Sequence, residues 1–576
     1  MPEMKVVYSA SGVAEPSTLE SDHGPTGREL GQLWRLLRVE RRDIGAVLVY
    51  AVLGGLLTLV LPLGTQAVVN TVAFGVFTPN LWVLCGLVLV GLLAGGGLFV
   101  MERWIVDLLQ RRIFVRTTFD VAYRLPRIRE GALADHYAPE LVNRFFDVLT
   151  LQKTLGKVLL DGSSAALTVL FSLILLAVYH PIFLVFDVIV LLFLPFVVVV
   201  LGRGGLATSV AESTNKYAVA NWLEEVARCR VSLKLAGNPA RVFERVDALA
   251  SEYVRARYAH FRVLLRQLVG SEVFRALLVV GALGIGGSLV IRQQLSLGQF
   301  VAAEVVVLYL AGALQKLVAQ LEHVYDLLTA LHKLGLITEM PLEREAARPA
   351  PGLASGPAGL ELRDVVFSYG GRRPVLDGAT ATVAPGERVS LIGRGKSSLV
   401  ALVTRFHEPA SGLIELDGID VRTIDPEALR VQVGVVEGRR DQIFEGTLEE
   451  NITMGRPLPH ADVRWAIATA QLADEIGALP EGLQTPLPAT GATLSESVCT
   501  RILCARAIVG RPRLLIVDDA LAGLPPDLHR RLLDALWREP GWTLIDLSQD
   551  PRLGQRSGRR LELRGGRVLE PEAHGA

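Results

Sequence analysis

Hydrophobic positions in this chain fall into three long blocks almost free of charge, followed by a region where short apolar runs alternate with polar turns. No charged residue occurs between Ile44 and Met101. That block is long enough for two membrane spans of about 20 residues each, with Phe77-Thr78-Pro79-Asn80 as the polar break between them. A second block, Leu159 to Leu201, turns at Tyr179-His180-Pro181, and a third, Val273 to Leu314, turns at Arg292-Gln293-Gln294. Three hairpins, hence six spans, are predicted. The connections from Glu102 to Lys157 and from Arg203 to Glu272 keep apolar residues at helical spacing, as in Trp222-Leu223-Val226 and Val242-Val246-Leu249, so the spans should continue as helices beyond the membrane. After a Pro/Gly/Ala stretch, Ala346 to Gly359, apolar runs such as Val365-Val366-Phe367, Val389 to Ile392, Leu514 to Val517 and Leu544 to Leu547 read as strands of an α/β domain.

The expected division is a segment at 1–42, a helical membrane domain at 43–340, a linker at 341–359 and an α/β domain at 360–576. Arg41, Arg42, Arg103, Arg111, Arg112, Arg116, Lys153, Lys157, Arg262, Arg266 and Arg275 flank the spans on one side, whereas the opposite turns hold only Arg292. The positive-inside rule then places both termini and the α/β domain in the cytoplasm. Composition agrees with a lipid-embedded protein. Half of the 576 residues are hydrophobic and only 20% are charged. Lys and Arg (59) balance Asp and Glu (59), so no global field argues for nucleic acid as a partner. Cys85, Cys229, Cys499 and Cys504 have no metal-type spacing, and residues 1–42 show no short apolar core with a cleavage site.

The chemistry is carried by Val389-Ser390-Leu391-Ile392-Gly393-Arg394-Gly395-Lys396-Ser397-Ser398, an apolar strand running into a Gly-Lys-Ser turn that opens a helix. A phosphate-binding loop needs G-x-x-x-x-G-K-[ST], because its amides curl round the β-phosphate while the lysine reaches the β- and γ-phosphates. Here Arg394 alone stands between Gly393 and Gly395, so three of the four intervening residues are absent. Tyr369 and Ala384-Pro385-Gly386-Glu387 precede the loop, and Leu514-Leu515-Ile516-Val517-Asp518-Asp519 follows it. In these motifs and in the six spans the chain resembles an ABC transporter, specifically an exporter-type half-transporter of the kind found among bacterial peptide and type I secretion exporters. Glu140-Leu141-Val142-Asn143-Arg144-Phe145-Phe146-Asp147 looks like the first coupling helix of that group.

The resemblance implies ATP and Mg²⁺ as cofactors, the bacterial inner membrane as location, and a homodimer or heterodimer with another half-transporter, with a periplasmic adaptor protein as a further partner. It assigns Tyr369 to adenine stacking and Gly393, Arg394, Gly395, Lys396, Ser397 and Ser398 to the phosphates. Ser397, Asp518 and Glu437 would serve the metal, and Asp519, Gln549 and Glu437 the hydrolysis itself. Thr493-Leu494-Ser495-Glu496-Ser497-Val498 stands at the family's L-S-G-G-Q motif, so Ser495 and Ser497 would face the partner's nucleotide. Departures from the family accumulate. Glu437 stands for a glutamine, Glu496 for a glycine, Asp519 for the glutamate that polarises water and Gln549 for the switch histidine. With the shortened loop, these changes predict weak or absent hydrolysis. The leading expectation is a transporter subunit that couples nucleotide binding to transport; the alternative is a pseudo-ATPase serving as membrane scaffold or regulatory partner. Within the spans, Asp187 and Glu304 lie about a third of the way from the outer ends, where the simpler expectation is that each reaches interfacial water.

Overall fold

The computed structural model describes residues 27–73, 78–133, 138–237, 240–343, 355–370, 373–437, 442–547 and 559–570. The chain divides into two compact units, one formed by residues 1–126 and 136–340, the other by residues 127–135 and 341–576.

The first unit is helical. It comprises α1 (Gly27–Val39), α2 (Arg41–Leu57), α3 (Val60–Ala73), α4 (Thr78–Arg124), then, beyond the short α5 (Glu130–Leu133) of the other unit, α6 (Ala138–Asn143), α7 (Asp147–Lys157), α8 (Ser163–Tyr179), α9 (Phe183–Phe196), α10 (Gly205–Arg228), α11 (Arg230–Ala236), α12 (Ala240–Ile291) and α13 (Leu297–Thr338). Among the described residues, six helices are long and apolar enough to cross a membrane: Arg41–Ala73, Leu81–Arg127, Glu140–Tyr179, Phe183–Leu201, Ala240–Ile291 and Leu297–Thr338. The three predicted hairpins are therefore present, and the connections between them are helical as their spacing implied. Local chemistry sets the ends. A reciprocal capping box between Ser296 and Gln299 starts α13, and Pro195, which has no N–H to give, precedes the π-type turn Val197–Leu201 at the end of the fourth span. One apolar core gathers Leu176, Phe183, Val190, Leu278, Val307 and Leu310; a second gathers Leu109, Ile113, Val148, Leu151 and Leu334, with Leu33 and Leu37 of α1 packed on it.

The second unit holds β1 (Leu360–Phe367), β2 (Leu376–Val383), β3 (Arg388–Gly393), α14 (Lys396–Val403), β4 (Ser411–Leu416), β5 (Ile419–Asp420), α15 (Pro426–Gln432), β6 (Val433–Glu437), β7 (Gly446–Thr447), α16 (Leu448–Thr453), α17 (His460–Thr469), α18 (Ala473–Gly477), β8 (Pro486–Leu487), α19 (Glu496–Ile508), β9 (Leu514–Asp518), α20 (Pro526–Arg538), β10 (Thr543–Asp546), β11 (Arg559–Arg564) and β12 (Arg567–Leu569). Its main sheet has the order β12-β11-β3-β10-β9-β6, and β11, β3, β10, β9 and β6 run parallel. Parallel strands are covered on both faces, which is why Leu514 to Val517 is apolar throughout and buried. A second, antiparallel sheet has the order β2-β1-β4-β5.

The unit is completed from a distance in sequence. Ile128 pairs with Leu342 as an isolated bridge, Arg129 donates to the Leu342 carbonyl at 3.1 Å, and Arg127 meets Glu427 at 2.5 Å. Arg430 of α15 grips Glu343 with two hydrogen bonds, 2.8 and 2.7 Å, while its guanidinium lies 4.5 Å from the Phe406 ring centroid. The stretch Glu140–Asp147 that resembles a coupling helix forms most of α6 and the turn Arg144–Phe146 inside the helical unit, with Phe145 against Phe114, whereas Arg127–Asp135 belongs to the α/β unit.

Candidate nucleotide site

Parallel α/β sheets bind ligands beyond the carboxyl ends of their strands, and the candidate residues collect there. Strand β3 ends at Gly393, and α14 begins one residue past Gly395, so the strand–turn–helix frame of a phosphate loop is kept. The shortened turn is closed against the sheet. Gly393 has φ 114° and Gly395 φ 101°, a region side chains avoid; a Cβ on Gly393 would fall 2.1 Å from the Leu563 carbonyl oxygen, and one on Gly395 2.9 Å from the Leu563 side chain and 3.0 Å from that of Val375. Glycine is required at both places for contact with β11 and Val375, whatever ligand is considered. Arg394 between them is exposed.

Lys396 is buried, with 8% of its surface exposed, and its ammonium donates to the main-chain carbonyl of Leu547 just past β10. Ser397 Oγ donates to Asp518 Oδ2 at 3.1 Å, joining the loop to the end of β9. Ser398, buried on the next helical position, accepts from the Tyr369 hydroxyl at 3.2 Å. Tyr369 is 41% exposed and meets Phe367 and His407 edge-on, with ring centroids at 4.8 and 5.3 Å. One aromatic face thus has access to solvent beside the loop. Burial pushes the His407 imidazole below its usual range, against a smaller opposite pull from Glu130.

Glu437 ends β6 in register with Asp518 on β9 and forms an isolated bridge with Asp519; its carboxylate accepts from Gln442 Nε2 at 2.8 Å. The structure therefore brings together Ser397, Asp518, Asp519 and Glu437. Among the described residues no group of three or more His, Cys, Asp or Glu is arranged to hold a metal by itself. A hydroxyl–carboxylate pair such as Ser397–Asp518 suits Mg²⁺, which keeps water and phosphate oxygens among its ligands. Asp519 sits at φ 50°, a left-handed conformation that Asp tolerates better than most residues. Gln549 lies outside the described residues.

Ser495 is the N-cap of α19, its hydroxyl accepting from the Val498 amide at 3.4 Å, and Glu496 is exposed in the first turn, where its charge favours the helix. Ser497, one position on, is half-buried and accepts from Arg501 Nε through its carbonyl at 3.3 Å. Sequence reasoning passed over Arg506, near the other end of α19. Its guanidinium donates to the carbonyls of Asn451 and Gln442, at 2.7 and 3.0 Å, and lies over Phe444. Burial, with Arg456 nearby, pulls its pKa down to about 10. It fastens the segment after β6 to the helix that follows Ser495; an arginine amid the apolar run Ala505-Arg506-Ala507-Ile508 was the available signal.

Helices able to span a membrane, fused to an α/β unit with a strand–Gly-Lys-Ser–helix turn and carboxylates at neighbouring strand ends, define a membrane transporter with its own nucleotide cassette. Residues 44–314 match the family profile described as ABC transporter transmembrane region and residues 376–522 the one described as ABC transporter, so the chain belongs to the ABC transporters. It is 29% identical over 577 aligned residues, 94% of either chain, to the mycobactin import ATP-binding/permease protein IrtB of Mycolicibacterium thermoresistibile. Over 289 residues, 49% of this chain and 48% of the other, it is 33% identical to the ATP-dependent lipid A-core flippase of Burkholderia orbicola. Its fold matches a bacterial Atm1-family ABC exporter solved with ATP bound, with a TM-score of 0.81 at 20% identity over 92% of this chain and 95% of the other. The protein is thus an exporter-type ABC transporter subunit.

Proposed function

We propose that this subunit works as half of a dimer in the bacterial cytoplasmic membrane, both termini in the cytoplasm, and that it grips ATP weakly and hydrolyses it slowly when alone. The observation that carries this reading is the shortened turn between Gly393 and Gly395, closed on Leu563, with Lys396 committed to the Leu547 carbonyl. Three backbone donors are missing, each hydrogen bond to a charged group being worth about 1.5–3 kcal/mol. What survives supports binding. Lys396, the free amides at the start of α14 and Tyr369 would hold the phosphates and adenine, and Ser397 with Asp518 would hold Mg²⁺, which neutralises developing phosphate charge. Asp519 would place water one methylene further back than a glutamate, and a misplacement of about 1 Å can cost about a hundredfold in rate.

Cassettes of this family pair head to tail, so both composite sites of any dimer would include an altered element of this chain, the loop in one and the Ser495–Glu496 turn in the other. An intact second half-transporter would supply the missing glutamate and glycines to each site in part. An exporter-type fold carries an importer among the relatives, by the name of the mycobacterial protein, so direction of transport is left out of the proposal. A periplasmic adaptor rests on the likeness to secretion exporters alone. The test is ATP turnover by the purified protein in lipid, with and without any co-purifying half-transporter. Turnover of about 1 per second or faster by the protein alone, abolished by Lys396→Ala, would overturn the reading.

A further inference from the structure

Asp187, expected to reach interfacial water, is instead buried on the same face of α9 as Phe183, Phe186 and Val190. The α/β unit does the reverse with two charges. Arg394 in the shortened turn and Glu496 after Ser495 are both exposed, and among the described residues neither has an ion-pair partner. Both stand in elements altered relative to the family the chain belongs to, and they carry opposite sign.

The sheet places the two on one edge. Strands β3, β10, β9 and β6 are neighbours and parallel, so the turn after β3 lies where all of them end. From α19 the chain passes through residues 509–513 straight into β9, so α19 runs back against the strands and its first turn, with Glu496, lies toward that same edge. The helix rests on β6: a Cβ on Gly434 would fall 2.6 Å from the Ala507 carbonyl oxygen. Arg394 follows β3, so the two positions are separated by the strand spacings β3-β10-β9-β6, about 14 Å at about 4.8 Å per strand. Within one chain the charges are held apart. An edge with a cation at one end and an anion at the other is complementary to a copy of itself turned by a two-fold axis, because each charge then meets its opposite on either side of the axis. An intact half-transporter would instead set Glu496 against nucleotide phosphate, like charge against like.

We propose that the partner of this subunit is a second copy of the chain, and that Arg394 of each copy pairs with Glu496 of the partner subunit, bringing the two cassettes together without nucleotide. The inference rests on the reading of the chain as half of a dimer, and names the other half. Exposed ion pairs contribute little to affinity and more to which surfaces meet, so this pair selects partner and register rather than supplying most of the binding. The test uses full-length protein in detergent, free of nucleotide. Two differently tagged copies, one carrying Arg394→Cys and the other Glu496→Cys, are coexpressed and mildly oxidised. A disulfide joining the two tags should form, whereas Arg394→Cys paired with itself, and the native chain with its own cysteines, should give none. Charge reversal supplies a second reading. Subunit exchange between fluorescently labelled dimers should accelerate about tenfold in Arg394→Glu and in Glu496→Arg, and return to the native rate in the double variant. No cross-link between the tags, a cross-link that forms only with ATP, or a double variant that exchanges as fast as the single ones overturns the proposal. A native chain that dimerises only with a different half-transporter overturns it too, and leaves the dimer reading intact. Fast ATP turnover by the native protein would count against the weak-site reading alone and leave a positive pairing result standing.

Discussion

Lys396 and Leu547 are 151 residues apart in sequence, yet the lysine ammonium donates to the leucine carbonyl at the edge of the candidate phosphate turn. The cation that the resemblance assigns to phosphate is held by the protein's own backbone. Phosphate must displace that carbonyl, and the shortened turn offers few amides to assist. Inserting three residues between Arg394 and Gly395 should restore the spacing of a phosphate loop and strengthen ATP binding by a few kcal/mol. Calorimetric titration of folded native and inserted proteins decides it; equal affinities would place the limiting defect elsewhere, at the turn around Glu496.

A second expectation concerns Asp519, whose φ of 50° suits Asp and Asn but not Glu. Asp519→Asn should leave the melting temperature within what about 0.5 kcal/mol produces, whereas Asp519→Glu should cost about 1 kcal/mol. Hydrolysis should rise only when Asp519→Glu and Gln549→His are combined with the lengthened loop. Thermal unfolding and ATP turnover on the same set of variants separate strain from chemistry. A stabilised Asp519→Glu protein would contradict the backbone explanation.

The grip of Arg430 on Glu343 depends on shape as well as charge. Arg430→Lys keeps the charge but cannot make two parallel bonds or lie flat on Phe406, and should destabilise the α/β unit by about 1 kcal/mol. Double-mutant cycles with Glu343→Gln, followed by thermal melting, should show coupling between the two sites; additivity would mean that the pair is ornamental.

His407 gives the α/β unit a pH dependence of known sign. Its folded pKa lies below the unfolded value of 6.5, so the unfolded chain takes up the proton first. The stability it contributes is complete above pH 6.5 and is lost as pH falls from there through the folded pKa. Melting temperatures between pH 8 and 5 should fall at the acid end, and less steeply in His407→Gln. Parallel curves for the two proteins would exclude this histidine as the cause.

The spans were legible in sequence because twenty apolar residues in a row need no tertiary partner to announce themselves, and the strand-end residues because Gly-Lys-Ser and Asp518-Asp519 stand directly after apolar strands. The occupants of the site were not. That Lys396 is taken by Leu547, or that Gly393 abuts Leu563, depends on strands far apart in sequence lying side by side in the sheet. Asp187 shows the same limit in the helical unit: hydropathy gave its depth, but which face of α9 turns inward is decided by packing against α8 and α12. Residues 127–135 read as an ordinary helical connection, since nothing local tells that Ile128 will bridge to Leu342.

That last bridge has a consequence for how the protein is made. Ile128 leaves the ribosome more than two hundred residues before Leu342, and in between come four of the six spans. The α/β unit is therefore one that synthesis cannot finish in sequence order: a piece of it waits while membrane insertion proceeds, and the unit closes only when its C-terminal part arrives. A C-terminal fragment beginning at Pro341 would lack Arg127, Ile128 and Arg129, leaving Glu427 without its arginine and the Leu342 backbone without its bridge. Soluble expression of the cassette as an isolated tail would then yield a protein weakened along that edge, and supplying residues 127–135 as a separate peptide should protect it.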